Sequence, residues 1–124
     1  MKSKIIITLF SLILLINSCD ENDNESIICT HVFIHGLEIN LIEKGTTNSV
    51  NGYVKIIIED DDYEEILESS EPNNSFYGAG ERKGTYTLTI TSNNYKTFVS
   101  EPIIVIADEC HVKTVSKTFE LELK

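Results

Sequence analysis

Apolar and polar positions alternate with a period of two through most of the chain. Leu37, Ile39 and Leu41 alternate with Glu38 and Asn40, and Val54, Ile56 and Ile58 with Lys55, Ile57 and Glu59. Tyr86, Leu88 and Ile90 alternate with Thr85, Thr87, Thr89 and Thr91. Side chains two apart share one face of a strand, so this rhythm predicts half-buried strands and no helix. Turn residues punctuate it: Lys44-Gly45-Thr46-Thr47-Asn48, Asp60-Asp61-Asp62, Glu71-Pro72-Asn73-Asn74, Gly80-Glu81-Arg82-Lys83-Gly84 and Asn93-Asn94. Phe76 and Tyr77 begin a short strand, Gly78-Ala79-Gly80 reads as the turn at its end, and Asn93-Asn94 reads as a tight turn needing left-handed backbone. Further strands are expected over Tyr63 to Leu67, Tyr95 to Val99, Ile103 to Ile106 and Val112 to Leu123. In the last, Val115, Phe119, Leu121 and Leu123 share a face. About seven short strands spaced by turns predict one all-β domain over residues 27–124, a single antiparallel β-sandwich.

The first eighteen residues break the rhythm. Lys2 and Lys4 precede an apolar run from Ile5 to Ile16, which ends at Asn17-Ser18-Cys19. A charged start, a short apolar stretch and a small residue before the cut are the marks of a signal peptide, here residues 1–18. The run falls short of the roughly 20 apolar residues of a membrane span. Leu15-Ile16-Asn17-Ser18-Cys19 resembles a bacterial lipobox, which implies acylation of Cys19. Residues 19–26 then form an acidic tether, Asp20-Glu21-Asn22-Asp23-Asn24-Glu25-Ser26 following the cysteine. An acidic run placed there resembles a surface-export signal. The expected location is therefore a Gram-negative outer membrane, lipid-anchored and facing outward, with a periplasm-facing domain as the alternative.

Charge narrows the partners. The chain of 124 residues carries 20 acidic and 10 basic residues, a net charge of −10. Nucleic acid is held through Lys and Arg, so it is not an expected partner. The expected partners are the membrane, through the lipid, and a protein or glycan of the cell envelope.

Two segments carry a family resemblance. Gly84-Thr85-Tyr86-Thr87-Leu88-Thr89-Ile90-Thr91, followed by Asn94-Tyr95-Lys96-Thr97, resembles the carboxypeptidase regulatory-like domain, with Asn94 where the family usually has Gly. Asp108-Glu109-Cys110-His111-Val112 is similar to a Cys-His-Val signature of its lipoprotein members, and Gly36-Leu37-Glu38-Ile39 resembles its first core strand. The resemblance implies a transthyretin-like (prealbumin-like) sandwich, related in shape to immunoglobulin modules. It also implies a binding or accessory role, with no catalytic residues to carry over.

The candidate chemistry is sparse. With Cys19 acylated, Cys29 and Cys110 remain, one before the first strand and one before the last. An oxidising compartment favours a disulfide between them. The alternative is zinc on Cys29, His31, His35, Cys110 and His111, although His31 and His35 on one extended strand lie about 13 Å apart. Asp60, Asp61 and Asp62, with Glu59, Glu64 and Glu65, supply oxygens that suit calcium, or else simply a charged hairpin turn. Tyr86 and Tyr95 are expected in the core, while Tyr53, Tyr63 and Tyr77 are open candidates for a binding surface. Gly-x-Ser-x-Gly, Gly-x-x-x-x-Gly-Lys-Ser/Thr and His-Glu-x-x-His do not occur, so no enzyme and no cofactor is expected.

Overall fold

The computed structural model describes residues 26–72 and 75–124. The leader 1–18, Cys19 and the acids that follow it lie outside the described residues. Eight strands form: β1 (His35–Glu43), β2 (Val54–Asp60), β3 (Tyr63–Ser69), β4 (Ser75–Gly80), β5 (Gly84–Ser92), β6 (Phe98–Val99), β7 (Ile103–Val105) and β8 (Val115–Leu121). One sheet has the order β4-β1-β8. The other has the order β3-β2-β5-β6, with β7 paired to another part of β5. Among the described residues there is no helix.

The alternation sets the layers. Leu37, Ile39 and Leu41 on β1 are fully buried, as are Ile56 and Ile58 on β2 and Tyr86, Leu88 and Ile90 on β5. These residues come from both sheets and join one apolar cluster, which makes the fold sandwich-like. The threonines of β5 face the other way and are half-buried or exposed.

Several expectations need correction. The fold is not wholly antiparallel, because β8 runs parallel to β1, from Leu37 opposite Val115 to Glu43 opposite Leu121. Periodicity reports which face is buried, and it carries no information on strand direction. The expected strand from Tyr95 shrinks to Phe98–Val99. Tyr95 is buried as expected, but its backbone bridges Leu123 instead of extending that strand. Leu123, which the pattern groups on one face with Leu121, lies beyond the end of β8 and is 51% exposed. Gly78-Ala79-Gly80 lies within β4 and does not form a turn after it. A Cβ on Gly78 would come within 2.5 Å of Ile58, so glycine lets this strand close over the core. Among the described non-glycine residues positive φ falls at Asp61, Ala79 and Glu81, and neither Asn93 nor Asn94 adopts it. The 93–94 bend is held instead by the Asn94 N–H on Ser92 Oγ and by the Asn94 amide on Asn51.

The loop between β4 and β5 carries the chain from one sheet to the other. Tyr86 locks it: its hydroxyl donates to the Arg82 carbonyl at 2.6 Å and accepts from Arg82 Nη1 at 3.0 Å. Bonding of a core tyrosine back to a main-chain group a few residues upstream is the device of a tyrosine corner. Tyr86→Phe leaves that carbonyl without its donor and is expected to cost about 1–3 kcal/mol. Urea unfolding of the two proteins checks this, and an unchanged midpoint would remove the lock from the account.

Candidate functional site

Three places in the fold gather the chemistry: a clamp where the chain enters, the acidic hairpin, and a groove at the opposite end.

The clamp is built around Cys29 and Cys110, which are disulfide-bonded with Cα atoms 5.2 Å apart across 81 residues of sequence. The thiols are thus consumed by each other, which overturns the alternative of two thiolates on zinc. Beside the bridge, His111 Nδ1 lies 2.7 Å from Glu81 Oε1, and Nε2 lies 3.0 Å from the Thr30 hydroxyl. A carboxylate only accepts, so with a neutral ring Nδ1 carries the proton and Nε2 accepts from Thr30. Glu81 Oε1 also accepts from the Ile34 N–H at 2.8 Å. Partial burial opposes the Glu81 charge, but Ile34, His111 and the Val112 N–H outweigh it and hold the carboxyl below its usual range. Asp108 Oδ1 accepts from the N–H groups of His111 and Cys110, and these bonds hold its carboxyl low as well. Carboxylate, imidazole and hydroxyl in this order resemble a nucleophile relay. Here each member comes from a different segment, so the chain of bonds ties the entering strand, the β4–β5 loop and the 108–111 turn together.

The other histidines stand apart from it. His35 packs between the rings of Phe33 and Tyr77, at 5.1 and 5.6 Å, and His31 is exposed. Among the described residues no group of three or more His, Cys, Asp or Glu is placed to hold a metal ion.

In the acidic hairpin, Asp60 is spent on Arg82, whose Nη1 lies 2.8 Å from its carboxylate. Arg82 also stacks 4.1 Å above the Tyr63 ring. Asp61 and Asp62 form the exposed turn, with Asp61 at φ 47°. A hollow of about 690 Å³ lies beside them, against Thr85 and Thr87. Burial, with a hydrogen bond to Glu65, pushes the Tyr63 phenol up to about 12. Of the other tyrosines left open by the sequence, Tyr53 bonds Glu68 at 2.9 Å and Tyr77 is half-exposed beside His35.

The groove, of about 710 Å³, lies between β8 and β6, the end strands of the two sheets. Phe98 and Phe119 meet there with ring centroids 5.1 Å apart. At its rim Lys96 and Lys44 converge on Glu122, at 2.9 and 3.7 Å. The Lys96 hydrogen bond, then the nearby Lys44 charge, hold the Glu122 carboxyl low. The sequence reading did not single out this site, nor Glu81 and Arg82. The groove is made by three segments, around Ile42 and Lys44, Lys96 to Phe98, and Thr118 to Glu122, which no local pattern brings together. A run of charges of both signs, Glu81-Arg82-Lys83, enclosed by Gly80 and Gly84 was the available signal for Glu81 and Arg82.

No family model matches this chain, and neither a curated protein nor a solved structure matches it.

Replacing Cys29 and Cys110 together by Ser is expected to cost about 2–5 kcal/mol in urea unfolding of the oxidised protein. A smaller loss would mean that the β1–β8 pairing closes the fold unaided. Acid sensitivity follows from Glu81. Its carboxyl titrates below the ordinary value of 4.5 when folded, so the unfolded chain binds more protons in that window. The stability it contributes is present above 4.5 and is lost as pH falls through the lower folded value. Glu81→Gln should therefore flatten the fall of melting temperature on acidification, read by scanning calorimetry, and an unaltered slope would contradict the assignment.

Proposed function

We propose that the chain is a lipid-anchored, non-catalytic envelope lipoprotein whose β-sandwich is a binding module of the transthyretin-like, carboxypeptidase regulatory-like kind. The leader-like block ending at Ser18-Cys19 supports the anchor. The buried Tyr86-Leu88-Ile90 face and the Cys110-His111-Val112 turn, bonded to the entering chain, fit the family resemblance. In this reading the protein sits at the outer face of an outer membrane, and Asp20 to Ser26 hold the domain off the lipid.

The observation that carries the binding role is the separation of the two ends. The chain enters at the clamp, beside the start of β1, while the groove lies at its far end, around Ile42 and Lys44. A strand of this length spans about 25–30 Å. A domain tethered at one end thus presents its groove at the other.

Cys19→Ala is expected to move the protein from the membrane fraction to the soluble fraction of its host, and globomycin should make the unprocessed precursor accumulate. On intact cells the wild-type domain should be open to added protease. Unchanged fractionation in the variant would refute the anchor, and full protection from protease would refute the outward face.

A further inference from the structure

We propose that the groove between β6 and β8 is a carbohydrate site that takes the side of a neutral pyranose chain. This rests on the reading of the domain as a binding module and names its ligand class.

The floor is aromatic and braced. Phe98 and Phe119 both pack against the core, and their planes are inclined at 45°. They form a fixed, shallow V of ring surface. The rim is polar on the same side. Lys96 and Lys44 share the Glu122 carboxylate, and all three side chains are more than half exposed. An ammonium has three donors, and a carboxylate accepts several bonds. The network therefore has capacity left for a ligand that both donates and accepts.

The alternatives fit less well. A partner strand would need the backbone edges beside the groove. At the Glu122 end these are already joined, by Lys96 N–H to the Glu122 carbonyl at 2.8 Å and Lys124 N–H to the Asn94 carbonyl at 3.1 Å. Recognition at this end falls to side chains. A wholly apolar ligand would strip water from the rim charges without replacing it. A polyanion would meet Glu120 and Glu122 as well as the two lysines, on a chain with net charge −10. A neutral pyranose has an apolar C–H face for the phenylalanines and hydroxyls for the lysine–glutamate rim. The volume of about 710 Å³ lies in the range of small-ligand sites, and the open groove admits a chain passing along it.

The test uses the purified full chain with cellohexaose, laminarihexaose, maltohexaose, mannohexaose and xylohexaose, read by titration calorimetry, with a galacturonate hexamer as the anionic control. At least one neutral sugar should bind with a dissociation constant of about 1 mM or tighter. Amide shifts on adding it should centre on Lys96 to Phe98 and Thr118 to Glu122. Phe98→Ala should weaken binding about tenfold. Phe98 supports the core, so the exposed pair Lys44→Gln with Lys96→Gln serves as the second variant and should weaken it about threefold. Asp61→Asn, at the opposite end, should leave it unchanged. The proposal is overturned if no neutral sugar binds at about 10 mM, if the shifts centre elsewhere, if only the galacturonate binds, or if both groove variants bind like wild type. Loss of sugar binding with Cys19-dependent fractionation intact removes the ligand and leaves the anchor, and the reverse result removes the anchor alone.

Discussion

The fold depends on bringing the two ends of the domain side by side. β1 is the middle strand of its sheet, and one of its two partners is β8, more than seventy residues later. No hairpin can make a parallel pair, so the chain must close a long loop before that ladder contributes anything. The Cys29–Cys110 bridge sits just ahead of both strands and makes the closure permanent. It acts chiefly by removing conformations from the unfolded chain. With the ends joined, the β1–β8 ladder brings Leu121 against the core, and the turn after Cys110 brings Val112 there. Without that closure, β1 would keep only β4, and two strands alone are marginal in water.

The second constraint is the crossing between the sheets. β4 belongs to one sheet and β5 to the other, and only 81–83 connect them. Neighbouring residues there point their charges at different targets. Glu81 reaches the clamp through His111 and the Ile34 N–H. Arg82 reaches the β2–β3 hairpin through Asp60 and Tyr63. Glu81 holds φ 48°, which costs a non-glycine residue on the order of 1 kcal/mol. The bonds at both ends of this short loop offset that strain. Gly84 completes the crossing, since a Cβ there would collide with the Asp60 carboxylate that Arg82 holds.

Burial was legible wherever the alternation was long. The inward faces of β1, β2 and β5 match the pattern residue for residue, because one buried face forces period two. The pattern was blind to partner and direction, and so missed the parallel ladder. It also failed where the backbone leaves the ladder while the side chain stays inside. Tyr95 is such a case: an apolar ring at a strand-like position, with its main chain bonded to the C-terminal tail. The cysteine pair was legible from number and from the oxidising compartment that a leader-like block implies, since two thiols flanking the terminal strands have few other fates under oxidation. Glu81, Arg82 and the groove were not legible. Their meaning comes from contacts between segments far apart in the chain, from Arg82 with Asp60 to Lys44 with Glu122, and a single sequence carries no trace of those.

The charge distribution separates the sheet edges from the groove. β3 is a free edge, and Glu64 and Glu68 flank the half-exposed Ile66 along it. Charges along an open edge discourage another strand from adding to it. That edge is thus guarded against backbone recognition. Between β8 and β6 the guard changes character: lysine and glutamate are paired with each other above two phenylalanines. Opposite charges in contact offset one another and still retain donors and acceptors, so hydrogen-bonding groups border the aromatic floor. The groove that these paired charges border lies at the end of the domain opposite the Cys29–Cys110 bridge.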